Sequence, residues 1–313
     1  MDFRERKSLK TLALNLWPKI FFSKKRNKFK NQIGEVTPED RALEQQLQIL
    51  KLEKESISPY VFMRVKNEAT TLPLTLKSIE PILTKGVIGY NECNDGSEEI
   101  ILNWCREHPG FVPFKYPYSV IPAGSIEYTR IDRWNKNSLA AYYNAVLEII
   151  PKNEWILKID ADQIYFPNIL RHSFSLPKNE LDWVSYSRLD LLLRNNNFYV
   201  LNYRRPGDHF LIYNRNIYFD NISGLRADGT FFAYEMLKKS RKLFLPWKPE
   251  CSSIHLPFEK NYRSCSHCCP PPVSKMSLES FLDYCNKDQF SSELISEIRH
   301  KKTYLVSKLR KNQ

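Results

Sequence analysis

Residues 155–162 read Trp-Ile-Leu-Lys-Ile-Asp-Ala-Asp. Two carboxylates, one residue apart, close a short apolar run. A run of this length predicts a buried strand. Asp160 and Asp162 then sit where the chain leaves a sheet, which in open α/β folds is the edge that binds ligands. Paired carboxylates there are hard oxygen ligands for Mg²⁺ or Mn²⁺, and a cation so held can bind a diphosphate. A bare Asp-x-Asp is also common in solvated turns, so the surrounding segments must decide.

Two further segments end predicted strands in the same way. Arg64-Val65-Lys66-Asn67-Glu68 closes the apolar run that starts at Tyr60. Asn91-Glu92-Cys93-Asn94-Asp95-Gly96-Ser97 follows the run 86–90 and contains a turn signature. Its glycine tolerates close approach of a ligand, and the next helix offers free N–H groups. A carboxylate such as Asp95 can accept from a uracil N–H or a ribose hydroxyl. The Gly-x-Gly-x-x-Gly and Gly-x-x-x-x-Gly-Lys-Ser/Thr patterns of dinucleotide and Walker sites are both missing.

The elements that position these loops alternate. Apolar periodicity predicts helices over 70–82, 98–107 and 138–150 between strands at 60–65, 86–90 and 155–159, with further strands at 183–186, 198–203 and 209–213. Such alternation argues for a mostly parallel, Rossmann-like α/β sheet. Residues 119–136 form a long loop between the second and third ligand-facing segments, placed to cover a substrate.

Several of these runs resemble a known family. Phe62 to Leu72 resembles the opening of the nucleotide-sugar glycosyltransferases of the GT-A fold. Lys85 to Leu102 is similar to the bacterial β-1,4-N-acetylgalactosaminyltransferases that build ganglioside-like lipooligosaccharide. Phe114-Lys115-Tyr116-Pro117-Tyr118, Glu154 to Asp160 and Val184 to Arg188 continue the match, which covers roughly residues 58–260. The resemblance implies that the first two loops hold a UDP-sugar, which assigns Arg64, Asn67, Glu68 and Asp95 to it. It implies that Asp160 and Asp162 bind cation and diphosphate, and that the transfer inverts the anomeric centre.

An inverting transfer needs one carboxylate to take the acceptor hydroxyl proton. Enzymes of this fold often place that base at the start of a helix after a late strand, and Asp228 fits that place. Asp208 and Glu235 are the other candidates; the Glu-Asp pair usual there is absent. The same likeness implies a third metal ligand from a late loop, for which His255 is the candidate. Lys260 and Arg263 are cations that could serve the diphosphate or be ordinary exposed side chains.

The charge is unevenly spread. The chain carries +12 in all, with +8 in residues 1–30, +6 in residues 299–313 and a nearly neutral middle. Basic tails point to a polyanionic surface. Residues 1–30 mix Leu, Trp17 and Phe with a Lys/Arg run, but Pro18 interrupts them and the apolar stretch is too short to span a bilayer. An interfacial arm on an anionic membrane is the expectation, peripheral on the cytoplasmic face, with a linker helix over 31–57. Nucleic acid is not expected, because no recognised module accompanies the charge.

The seven cysteines, an odd number without a clear export signal, suit a reducing compartment. Cys265-x-x-Cys268 with Cys269, His267 and Cys251 has enough ligands for structural zinc, but the second knuckle is missing. The division expected is a membrane arm, the linker helix, a catalytic body over 58–260 and a C-terminal Cys/Pro loop with helices over 261–313. Galactosyl or N-acetylglucosaminyl transfer, and a binding module without turnover, are the alternatives to GalNAc transfer onto a lipid-linked glycan.

Overall fold

The strand β1 (Tyr60–Val65) pairs in parallel with β2 (Gly86–Tyr90) and with β4 (Trp155–Lys158), and β2 pairs in parallel with β3 (Phe111–Lys115). β9 (Phe210–Tyr213) runs antiparallel to β4, and β6 (Trp183–Ser185) antiparallel to β9. The resulting six-stranded order is β3-β2-β1-β4-β9-β6. This computed structural model describes residues 56–204, 208–225, 231–239, 243, 246–257, 276–285 and 290–309. The arm over 1–30, nearly all of the linker helix, Asp228, Lys260, Arg263, Cys265, His267, Cys268 and Cys269 lie outside the described residues.

Side chains alternate across each strand, so the sheet has two buried faces. Met63, Val65 and Ile88 face α1 (Leu72–Ile79) and α2 (Ser97–Glu107), where Leu72, Leu76, Ile79 and Ile101 are buried. Phe62, Val87 and Ile156 face α3 (Leu139–Ile149) through Tyr142, Tyr143 and Val146. Each fully buried Leu or Ile on these faces contributes about 1.5–3 kcal/mol. The Ser138 hydroxyl caps α3 by accepting from the amides of Ala140 and Ala141. Gly89 lets α3 lie close, since a Cβ there would stand 2.5 Å from Val146 Cγ2.

A second sheet has the order β5-β12-β7-β8, from β5 (Gln163–Tyr165), β12 (Cys251–His255), β7 (Ser187–Arg194) and β8 (Asn197–Arg204). Its core joins Leu189, Leu191, Phe198 and Ile254 to Leu282 of α5 (Leu278–Cys285), and to Leu294, Ile298 and Leu305 of α6 (Ser292–Leu309). A short helix α4 (Pro167–Ser173) follows β5. Cys251 is buried in β12, its thiol donating to the Ser253 carbonyl.

The expected helix behind Asp228 is not there. β10 (Ile217–Leu225) and β11 (Phe231–Lys239) form an antiparallel ladder, in register from Ile217 opposite Lys239 to Leu225 opposite Phe231. Phe231, Phe232 and Tyr234 are strand formers, and the inward residues Phe219 and Ala233 alternate with outward ones. Phe219 stacks on Tyr143 at 4.7 Å between ring centroids, which fixes the ladder over α3. Glu235 is thus a strand residue, and the helix-terminus argument for Asp228 falls away.

Residues 119–136 contain a single 3₁₀ turn, Glu127–Arg130. Tyr128 donates to Asn221 Oδ1 at 2.7 Å, tying this loop to β10.

Candidate active site

The antiparallel pairing of β4 with β9 sets Lys158 opposite Phe210. The chain leaving β4 therefore meets the chain entering β9, and Asp160 faces Asp208 and His209. His209 Nε2 lies 2.8 Å from Asp160 Oδ2, and its Nδ1 lies 3.1 Å from Asp208 Oδ1. Ligand atoms of these three residues all fall within 4.8 Å of one another. Lys158, buried under the loop, contacts Asp160 Oδ1 at 3.2 Å. Burial works to raise the Asp160 carboxyl, but Lys158 and His209 overcome it and hold it well below the usual range. Burial likewise opposes charge on His209, and the two carboxylates win, so the imidazole is raised.

A second imidazole stands beside this group. In the second sheet, β5, β12 and β7 bring Gln163, His255 and Asp190 into one row. His255 Nδ1 lies 2.7 Å from Asp190 Oδ1, and its Nε2 lies 3.1 Å from Asp162 Oδ2. Asp162 and His255 are 4% and 5% exposed, so this is an interior pair. Burial lowers the imidazole, while Asp162 and Asp190 raise it by more. The Leu256 amide donates to the Asp162 carbonyl and fixes the loop.

The first two loops are laced together. The Ala69 amide donates to Asp95 Oδ2 at 2.9 Å, and Ser97 donates to Oδ1 through both amide and hydroxyl. These donors outweigh burial and lower the Asp95 carboxyl. Asn67, at φ 54°, accepts from the Asn94 amide, and the Glu68 amide donates to Ser97 Oγ. Gly96, at φ 93°, caps α2, and a Cβ there would meet nothing within 4 Å. Arg64 lies over the rings of Tyr142 and Tyr143. Burial lowers its basicity, Tyr143 restores it, and the guanidinium stays charged.

A cavity of about 570 Å³ opens between β11 and the main sheet. Lys158, Asp208, Trp183, Phe210, Glu235 and Lys239 are among its walls. Burial raises the Glu235 carboxyl above the ordinary glutamate range, and Arg64 and Lys158 only partly offset it. Asp208 is different: burial would raise it, but His209 and Lys158 hold it low.

The structure thus sets Asp208 and Glu235 in the walls of one cavity, joins Asp160 to Asp208 through His209, and pairs Asp162 with His255 in the interior. Arg64, Asn67, Glu68 and Asp95 line the neighbouring loops. Reading the sequence missed His209, Lys158 and Asp190. His209 carried one signal, its place beside Asp208 at a strand mouth. Its partner was hidden because an antiparallel β4–β9 pair is not visible in apolar periodicity.

A mixed sheet with amide-rich loops at the edge of its parallel strands, a carboxylate–imidazole cluster that suits a divalent cation, and an adjoining cavity form one candidate ligand site on an α/β fold. The family model of β-1,4-N-acetylgalactosaminyltransferases (CgtA) matches residues 46–308, and the chain belongs to that family. No curated protein matches. Among solved structures, the mannosyltransferase PcManGT from Pyrobaculum calidifontis, in complex with GDP-Man and Mn²⁺, is 13% identical over 53% of this chain and 51% of its own, with a TM-score of 0.33. The chain thus spans about half the length of that protein. The inositol-1-phosphate CTP transferase from T. maritima is 10% identical over 50% of this chain and 71% of its own, with a TM-score of 0.32.

Proposed function

We propose that this protein is an inverting, metal-dependent transferase that moves GalNAc in β-1,4 linkage from UDP-GalNAc to a lipooligosaccharide or related glycan. Family membership over residues 46–308 carries this reading, and the Asp160, Asp208 and His209 cluster supports its metal dependence. The UDP part lies on the loops of Arg64, Asn67, Glu68 and Asp95. Asp160 and Asp162 would hold the cation, with His255 as the nitrogen ligand, next to the Asp208 and His209 side chains that join Asp160 in the cluster. Two carboxylates and an imidazole suit Mn²⁺ well and Mg²⁺ less well. A cation bound there neutralises charge that develops on the departing diphosphate.

The chain's own residues supply the rest. His209 and Lys158 fix the Asp160 carboxylate and keep it ionised. The acceptor enters the cavity beneath β11, where Glu235 takes the proton of its hydroxyl. Asp208 is a weaker base, because its ion pairing with His209 stabilises the ionised form and so lowers its proton affinity.

A screen over common UDP-sugars with a lipooligosaccharide acceptor tests the reading. UDP-GalNAc should be consumed fastest, only with Mn²⁺ or Mg²⁺ present, and UDP should inhibit where ADP does not. Preference for UDP-galactose or UDP-N-acetylglucosamine would reassign the donor. Absence of any metal-dependent turnover would leave a binding module.

We place the enzyme on the cytoplasmic face of the membrane, held by the basic, apolar arm over residues 1–30. No helix among the described residues is long and apolar enough to cross a membrane. Deleting residues 1–30 should release the protein from anionic vesicles and leave transfer to a soluble acceptor intact. Sedimentation of the shortened protein with those vesicles would refute the assignment.

A further inference from the structure

Strand β7 carries two charged residues on its buried face that no step above uses. Asp190 sits across from His255 in the β7–β12 ladder, and Arg188 sits across from Ser253. Asp190 Oδ1 meets both His255 Nδ1 at 2.7 Å and Arg188 Nε at 2.9 Å. The same guanidinium reaches the other imidazole pair. Its Nη1 lies 3.8 Å from Asp208 Oδ2 and 3.5 Å from His209 Nδ1. Arg188 and Asp190 are 6% and 5% exposed, so neither charge is placed there for solvation.

We infer that Asp190 is a positioning residue that fixes His255 with its Nε2 lone pair available to a cation, and that Arg188 locks Asp190 in place. This inference rests on the reading of His255 as a metal ligand. The reason is tautomeric. A carboxylate only accepts, so the Asp190 contact holds a proton on Nδ1. Asp162 competes for a proton on the opposite nitrogen. Without Asp190, a neutral imidazole would put its one proton on Nε2, toward Asp162, and would lose the lone pair that a cation needs. An outer carboxylate of this kind typically changes metal affinity by about 10–100-fold. Arg188 compensates the charge of Asp190 in the interior, where an unpaired carboxylate would be costly. Its reach to Asp208 joins both imidazole pairs to one cation, so the two halves of the site keep a fixed spacing.

Calorimetric titration of Mn²⁺ and of Mg²⁺ into the full-length protein with UDP tests this. Asp190→Leu, of similar size but without an acceptor, should weaken Mn²⁺ by about 10–100-fold. Mg²⁺ should weaken less, because an oxygen-seeking ion depends less on imidazole. A merely structural role would leave that Mn²⁺-to-Mg²⁺ ratio unchanged. Asp190→Asn keeps one acceptor and should fall between Asp190→Leu and the parent. His255→Ala is measured beside them. If His255→Ala loses Mn²⁺ while a folded Asp190→Leu binds like the parent, this inference alone is overturned. Parental Mn²⁺ affinity in His255→Ala overturns the ligand assignment and this inference with it. Should Asp190→Leu not fold, parental affinities for both ions in Asp190→Asn overturn the positioning role.

Discussion

Glu235→Gln is expected to cut transfer by roughly 10²–10⁴-fold, the usual worth of a positioned acid–base group. UDP-GalNAc affinity should stay near the parent's, because the role proposed for this residue is on the acceptor hydroxyl. The amide keeps the shape of the cavity wall and removes only the proton acceptor. The argument rests on contrast within one cavity. Asp208 is held ionised by His209 and Lys158, so its affinity for a proton is low. Glu235 has its carboxyl raised by burial, which brings its proton affinity closer to that of a working base at neutral pH. The sign of the pH dependence follows. The base works only when ionised, so turnover falls as pH drops through the raised value of Glu235. That acid limb should lie at higher pH than an exposed glutamate would give, and it should vanish in Glu235→Gln. The comparison is kcat and donor Kd for Glu235→Gln, Asp208→Asn and Asp228→Asn. Loss of turnover with donor binding preserved in Asp208→Asn or Asp228→Asn, and not in Glu235→Gln, would move the role to that residue.

How far the sequence foretold this site depends on the kind of signal each part leaves. The helix expected over 138–150 appears as Leu139–Ile149, with Ser138 at its cap, because a buried Tyr142, Tyr143 and Val146 stripe repeats at helical spacing. The strands before Arg64, Asn91 and Asp160 were legible for a similar reason: short apolar runs end in polar turns. These are local signals. The β10–β11 ladder was not legible as such, and Glu235 could equally have been the outer face of a helix. Only its pairing with Asn221 across the ladder turns it inward. The same holds for His209 and Asp190. Each matters through a residue far along the chain, Asp160 or His255, and strand order rather than composition makes them neighbours.

Asp162→Asn bears on the other half of the reaction, and its expected result is the loss of metal-assisted donor binding. The substitution keeps the volume of a nearly buried side chain, and the Leu256 amide still has the Asp162 carbonyl to donate to. The fold should therefore survive. What goes is an anionic oxygen beside His255 Nε2, now 3.1 Å away. A neutral amide oxygen is a poor substitute for a carboxylate as a ligand to a divalent cation. UDP titrated with and without Mn²⁺ should show a metal-dependent gain in the parent and a gain at least about 10²-fold smaller in the variant, with transfer falling in parallel. UDP affinity without metal should hardly change, because the nucleoside site proposed above is on the Asp95 and Asn67 loops. The alternative is that Asp160, Asp208 and His209 hold the cation alone, since their ligand atoms already lie within 4.8 Å of one another. Asp162→Asn and His209→Ala then exchange outcomes: the first keeps the Mn²⁺-dependent gain and the second loses it. A parental gain in Asp162→Asn would remove Asp162 and His255 from the metal site. It would leave the Asp162–His255–Asp190 row as an interior ion-pair chain that supports the second sheet.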